Sequence, residues 1–351
     1  MSVKAIQLSI FDILNDYKYV IRKPIRLIEF FAGYGSQKLA LEYLGVEHES
    51  HRICEWCVPS IQAYKEIHYP NVNEDFTQAY SFETIVEYLT DLGISNDWNK
   101  PMEENAIKRK GEKWCRDVLN NIIITKNLVN IQRVKAKHLA VTENDKYTYL
   151  LTYSFPCQDI SICGKMQGFT DTSTRSGMLW EVGRVLEELH EQGKHIDVLL
   201  MENVTGVHNK KNIEDWKKWL SILESLGYSN FYEDLNAADF LIPQNRKRCF
   251  MVSIYDPEHK YHFSFPKPLE LELRLKHLLE KNVDEKYFLS SKIVSYYEEH
   301  TEEQKEKGNG FRFEPQERES IKVSKTVNTR FGNRMDDTYI YDTGTNSSVE
   351  K

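Results

Sequence analysis

From about residue 25 to residue 254, short apolar runs alternate with segments of helical period, and few folds tolerate that rhythm. A strand buried on both faces reads as a continuous apolar run, and a covering helix reads as a stripe recurring every three or four residues. The pattern predicts an α/β architecture, a mostly parallel sheet with helices on both faces. Ile25–Phe31 reads as the first strand and Ser36–Leu44 as the helix after it, stopped at Gly45. His48–Glu55, Tyr149–Ser154, Val198–Glu202 and Cys249–Ile254 read as further strands. Met178–Gln192 carries Leu179, Val182, Leu186 and Leu189 on one stripe before Gly193, and Ile213–Leu226 reads as a second covering helix.

Two regions break the alternation. Residues 80–147 read as a long, mostly helical insertion between strands. Its stretch Lys100–His138 holds ten Lys and Arg against four acids. A solvated helical face at the periphery is the favoured reading, over a surface that faces phosphates. Past Pro266 the chain turns into a Lys/Glu-rich helix, then a Gly-containing stretch of β-type residues from Ser320 to Tyr341. The chain thus divides into an N-terminal segment 1–22, a main domain 23–265 and a smaller unit 266–351.

Charge and composition exclude several classes. With a net charge of −7, no basic signature covers the whole chain, so any nucleic-acid contact must come from local patches. Lys322, Lys325, Arg330 and Arg334 form one such patch, with no acid until Asp336. Apolar runs are only a few residues long, which leaves no membrane span. Met1 to Asp16 lacks the basic and apolar regions of a secretory signal. Six scattered cysteines suit a reducing, cytoplasmic compartment. Cys54 and Cys57 form a Cys-x-x-Cys with no second pair at ligand spacing, so no metal is expected.

The first strand runs into Phe31-Ala32-Gly33-Tyr34-Gly35 at a helix start. Glycines there let the backbone approach a ligand at the carboxyl end of the strand. A dinucleotide fingerprint needs a third glycine where Lys38 stands, so a nucleoside without phosphates fits better. Glu55, twenty residues after Gly35, is placed to accept ribose hydroxyls, and Trp56 to stack on a base. Further on, Pro156-Cys157-Gln158 ends a strand in a loop running through Gly164 and Gly168, the context of an exposed thiol rather than a buried one. Glu202-Asn203-Val204 puts a carboxylate at the end of another strand on the same sheet edge. Gln244-Asn245-Arg246-Lys247-Arg248 brings two arginines, at i and i+2, into the last strand.

In this order the five motifs resemble the cytosine-5 DNA methyltransferases of the bacterial and phage restriction–modification type, over residues 25–254. Ser161 through Gly168 is similar to the family's closing catalytic loop, and Asp171 through Trp180 to the segment after it. The resemblance implies a Rossmann-like methyltransferase fold that binds S-adenosylmethionine through Phe31, Ala32, Gly33, Tyr34, Gly35, Glu55, Trp56 and Pro156, with Asp75 and Phe76 at the adenine. It implies that Cys157 is the covalent nucleophile on a cytosine flipped out of duplex DNA and that Glu202 is the proton donor to the base. Arg248 would hold the base carbonyl, with Arg246 and Gln244 positioning the site.

The sequence departs from the family at its end. Ser324 through Arg330 and Asp336 through Ile340 resemble the end of a phage-type target-recognition region, and no match to the family's last two motifs follows. A second polypeptide supplying those motifs is therefore an expected partner, and a catalytically incomplete DNA-binding or regulatory protein is the rival reading. A tRNA-methylating branch of the family is a further alternative. Gln7-Leu8-Ser9-Ile10-Phe11 also resembles the peptide with which bacterial replication proteins dock onto the sliding clamp. The favoured reading of that segment is an amphipathic helix carrying Ile6, Ile10, Ile13 and Leu14.

Overall fold

Strands β1 (Ile25–Phe30), β2 (His48–Cys54), β3 (Thr148–Tyr153) and β4 (Val198–Asn203) lie side by side in the order β2-β1-β3-β4, all parallel. The computed structural model describes residues 19–156, 177–308, 310, 312–328, 331–341 and 349–350. β6 (Lys247–Tyr255) joins β4 antiparallel, and β5 (Tyr228–Asn236) completes the six-stranded sheet beyond it. The expected mostly parallel α/β sheet is present. Two details of the expectation are corrected. The run Tyr228–Asn236 forms a strand that its sequence does not announce, because it carries Ser229, Asn230, Glu233 and Asp234 and is only partly buried. The first strand also stops at Phe30, because Phe31 already has a left-handed φ of 57° and belongs to the turn.

Every residue of β3 is buried, as expected of a strand covered on both faces. Helix α6 (Met178–Glu191) buries Leu179, Val182, Leu186 and Leu189 against the sheet side chains Ile28, Leu151, Leu199 and Met251. Trp216 and Trp219 of α7 (Ile213–Ser225) complete this core. Helix α1 (Ser36–Tyr43) follows the glycine turn, and α2 (Val58–His68) follows β2.

The insertion forms α3 (Phe82–Leu92), α4 (Glu104–Lys108) and α5 (Glu112–Ile124). Their apolar faces close over Val58 and Ile61 of α2 in a second hydrophobic core, with Trp56 packed against it. The lysines and arginines of Lys100–His138 are all exposed except Arg116, which is held by Glu112 and by the carbonyls of Thr77 and Tyr80. The solvated-face reading therefore describes the outer surface. The peripheral placement is corrected, because the inner surface is built into the domain.

The chain divides into two compact units, Met1–Glu233 with Cys249–Phe265, and Asp234–Arg248 with Pro266–Lys351. The second unit contains α8 (Ser291–Glu306) and three two-residue strands, β7 (Gln316–Glu317), β8 (Ile340–Tyr341) and β9 (Val349–Glu350). The described residues of the β-type stretch from Ser320 to Tyr341 are mostly irregular chain and turns, with strand only at Ile340–Tyr341, and a small core of Leu289, Phe313 and Tyr339 lies in this unit. No helix among the described residues is long and apolar enough to cross a membrane.

Candidate functional site

Parallel pairing brings the carboxyl ends of four strands to one edge. Phe30 lies opposite both Cys54 and Tyr153, and Tyr153 opposite Met201. Loops leaving that edge have free backbone groups and room for a ligand. Here the Phe31–Gly35 turn folds over the end of β2, with the N–H groups of Phe31 and Ala32 both donating to the Cys54 carbonyl at 2.8 and 3.3 Å.

Glu55 is the hinge of this arrangement. Its Oε2 accepts the Gly33 N–H at 2.9 Å and its Oε1 accepts the Cys57 N–H at 2.8 Å. Burial pushes its pKa up, and the hydrogen bonds from Cys57, Gly33 and Trp56 pull the other way. The backbone of Glu55 is fixed by a residue the sequence reading missed. Asn127, just after α5 in the insertion, donates from Nδ2 to the Glu55 carbonyl at 2.8 Å and accepts the Glu55 N–H on Oδ1 at 3.0 Å. Its neighbour Leu128 donates to the Ile53 carbonyl at 2.8 Å. No local pattern announces Asn127; it is an asparagine after a helix, a position that usually means only a cap or turn.

These residues fit a nucleoside that lacks phosphates. A Cβ built on Gly33 would meet nothing within 4 Å, so the backbone is open to close approach. The Gly33 and Cys57 N–H groups engage different oxygens of Glu55, and the carboxylate keeps lone-pair capacity for a hydroxyl. Lys38 does not reach towards a phosphate. It is 9% exposed, and its ammonium bonds Glu42 at 2.7 Å. Gly35, at φ 80°, lies against α2, where a Cβ would come within 2.3 Å of His68 Nε2. Tyr34 is exposed and Trp56 half-buried. Asp75 and Phe76 sit exposed in a loop braced by Asn120, which accepts the Phe76 N–H at 2.9 Å. The hydrogen bonds from Thr77 hold the Asp75 carboxyl below its usual range.

At the ends of β3 and β4 a single side chain ties two motifs together. Buried Asn203 donates from Nδ2 to the Phe155 carbonyl at 3.0 Å, one residue before Pro156, while its Oδ1 accepts the Val204 N–H at 2.8 Å. Glu202, the residue before it on β4, is half-buried. Cys157 itself, Gln158, the loop Ser161 through Gly168, residues 171–176 and the segment Gln7–Phe11 lie outside the described residues. The described cysteines Cys54, Cys57, Cys115 and Cys249 are all buried. Burial raises the thiols of Cys54, Cys57 and Cys115, that of Cys57 to about 11, which makes them poor nucleophiles.

In the second unit, Gln244 pairs with Ser324 in an isolated bridge. Arg246 donates its N–H to Asn236 Oδ1 at 2.9 Å, and the Arg248 guanidinium reaches the Lys247 carbonyl at 2.7 Å. Of the expected basic patch, Lys322 and Lys325 are exposed, and Arg330 lies outside the described residues. Arg334 is corrected: it is engaged by Asp336 at 2.8 Å, the first acid after the patch.

Beneath the glycine turn, Glu29 of β1 is 1% exposed and accepts the Tyr64 hydroxyl at 2.6 Å. Burial raises its pKa from 4.5 to about 7, against the opposing pull of the Tyr64 hydroxyl and of Lys38 on α1 and with a small further push from Glu42. The folded state therefore holds this proton more tightly than the unfolded chain does. Stability attributable to Glu29 is greatest below pH 4.5 and falls as pH rises through about 7. The variant Glu29→Gln should melt higher than the parent at pH 8, by an amount equivalent to roughly 3 kcal/mol. The gain should shrink towards pH 4.5; thermal melts across that range check it, and a pH-independent difference would refute it.

A family model described as C-5 cytosine-specific DNA methylase matches residues 91–351. The chain is 38% identical over 274 residues to the type II methyltransferase M2.ScrFI of Lactococcus lactis subsp. cremoris, covering 77% of this chain and 72% of that protein. It is 36% identical over 271 residues to the orphan methyltransferase M.SssI of Spiroplasma monobiae, covering 77% and 68%. Among solved structures, the S. pombe Dnmt2 methyltransferase superposes with a TM-score of 0.56 at 15% identity, over 93% of this chain and 78% of that one, a likeness of fold.

Proposed function

The chain belongs to the C-5 cytosine-specific DNA methylase family, and from that premise we propose that it methylates carbon 5 of a cytosine flipped out of duplex DNA, with Cys157 as the nucleophile. The methyl donor of the family is S-adenosylmethionine, which when bound supplies an electrophilic sulfonium methyl. The observation that carries the reading is the Asn203–Phe155 tie at 3.0 Å, which joins the residue after Glu202 to the residue before Pro156 on the sheet edge that also bears the Gly33–Glu55 clasp.

The roles follow from the chemistry of the base. Cytosine carbon 5 is too electron-poor to attack a methyl group unaided. The Cys157 thiolate adds to carbon 6, the C5=C6 electron pair moves onto carbon 5, and N3 takes a proton from Glu202. Arg248 stabilises charge on the base carbonyl, with Arg246 and Gln244 positioning it. Once carbon 5 carries the methyl group, a base removes the proton on carbon 5, N3 returns its proton to Glu202, the C5=C6 double bond re-forms and Cys157 leaves as thiolate. Gly33, Gly35, Glu55 and Trp56 hold the donor's nucleoside; Phe31, Ala32, Tyr34, Asp75, Phe76 and Pro156 line the same site. The test is transfer of labelled methyl to duplex DNA, run beside tRNA and beside DNA with 5-methylcytosine at every cytosine. Label should enter the unmodified DNA alone; entry into tRNA alone would overturn the DNA assignment.

Lys322 and Lys325 carry no ion pair among the described residues and face solvent in the stretch that resembles a recognition region. Replacing both with glutamine should weaken DNA binding. It should also flatten log affinity against log salt by about 0.9 per lost phosphate contact. Arg334→Gln should move the slope less, because Asp336 already engages that side chain. Equal slopes in the parent and the double variant, measured by fluorescence anisotropy, would remove these lysines from the interface.

A further inference from the structure

The segment Gln244–Arg248 is held on two sides. On one side, the Asn245 N–H donates to the Ser324 carbonyl at 2.8 Å, the Ser324 N–H to the Pro243 carbonyl at 2.9 Å, and the Thr326 hydroxyl to the Asn245 carbonyl at 2.6 Å. On the other side stands a single side chain at the end of β5. Asn236 accepts the Arg246 N–H on Oδ1 at 2.9 Å and donates from Nδ2 to Asn245 Oδ1 at 3.2 Å, while the next residue, Ala237, donates to the Arg246 carbonyl at 3.1 Å. Both backbone polar groups of Arg246 are thus committed to residues 236–237. That commitment sets where the Arg246 side chain departs.

We infer that Asn236 is a positioning residue of the methyl-transfer reaction, acting through the backbone of Arg246 to hold the Gln244/Arg246/Arg248 group in register with the base. It touches neither base nor cofactor in this role. The carboxamide is suited to the task because one oxygen and one nitrogen engage two successive residues of the segment, which a hydrophobic side chain cannot do. A small displacement of a charge-stabilising group weakens the transition state more than the ground state. The inference rests on the reading that these residues serve the base.

The experiment uses the full chain, DNA and S-adenosylmethionine, and measures kcat, KM for DNA, and the rate of covalent adduct formation on DNA carrying 5-fluorocytosine. Asn236→Ala should lower kcat and the adduct rate together by about tenfold, leaving KM for DNA within about twofold. Asn236→Asp keeps the acceptor for the Arg246 N–H and should recover most of the loss. In an Arg246→Ala background, Asn236→Ala should add little. Unchanged kcat in Asn236→Ala, equal losses for the Ala and Asp variants, or full additivity with Arg246→Ala would each overturn the inference. The arginine assignment is judged separately: parent enzyme that forms the adduct at a rate unaffected by Arg246→Ala would refute that assignment and not the test of Asn236.

Discussion

Cys157→Ala should abolish methyl transfer, by about 10⁴-fold or more, while leaving affinity for S-adenosylmethionine intact. The size follows from the step removed. Without the sulfur adding at carbon 6, carbon 5 has no electron pair to offer. The described cysteines are buried, and Cys54 in addition gives its S–H to the Val129 carbonyl at 3.3 Å. A thiol so placed cannot reach a base outside the protein. On DNA carrying 5-fluorocytosine, the parent should accumulate a covalent adduct that survives denaturing electrophoresis, because fluorine blocks loss of the carbon-5 substituent. Cys157→Ser should show none, and an adduct of undiminished yield in that variant would end the assignment.

How far the sequence reached depended on whether a residue acts through its own neighbours in the chain. The strand-end motifs were readable because strand, turn and functional residue are contiguous. Phe31 through Gly35 follows β1 directly, and Glu202 closes β4. Asn203 reads only as part of its motif, yet its carboxamide bonds the Phe155 carbonyl just past β3, 48 residues away, a tie that periodicity cannot reveal. The i and i+2 spacing of Arg246 and Arg248 places both at the entry to the last strand. β6 begins at Lys247 and takes in Arg248, while Arg246 lies just before it, held by Asn236.

The insertion shows the same limit at larger scale. Its charge excess is legible and does mark a solvated surface, since most of those cations face water. Its inner face is an ordinary amphipathic pattern, Ile85, Val86 and Leu89 on α3 and Val118, Leu119 and Ile122 on α5. Such a pattern says that a helix packs, not on what. That it packs on α2 and delivers Asn127 to Glu55 depends on contacts 72 residues apart in the chain.

That long-range tie gives the second large effect. Glu55→Gln should cut affinity for S-adenosylmethionine by about 100-fold or more, with the fold retained. Two features set the magnitude. Hydrogen bonds to a charged acceptor contribute about 1.5–3 kcal/mol each, and a carboxylate taking two ribose hydroxyls makes two of them. Glutamine also presents an NH₂ group where Oε1 or Oε2 now accepts a backbone N–H, so either the Gly33 or the Cys57 donor loses its partner. Asn127→Ala leaves the carboxylate in place and removes only its backbone support. It should weaken affinity by a smaller factor, about tenfold, and Glu55→Gln should then add less than its full effect in that background. Because burial raises the Glu55 pKa, and hydroxyl donors favour the ionised form, affinity in the parent should begin to fall on acidification at a higher pH than an exposed carboxylate would give. Isothermal titration of the three variants, with melting curves to confirm folding, distinguishes the contributions. Glu55→Gln binding the cofactor as tightly as the parent would mean that the Gly33–Glu55 clasp only closes the turn and that the ribose is held elsewhere.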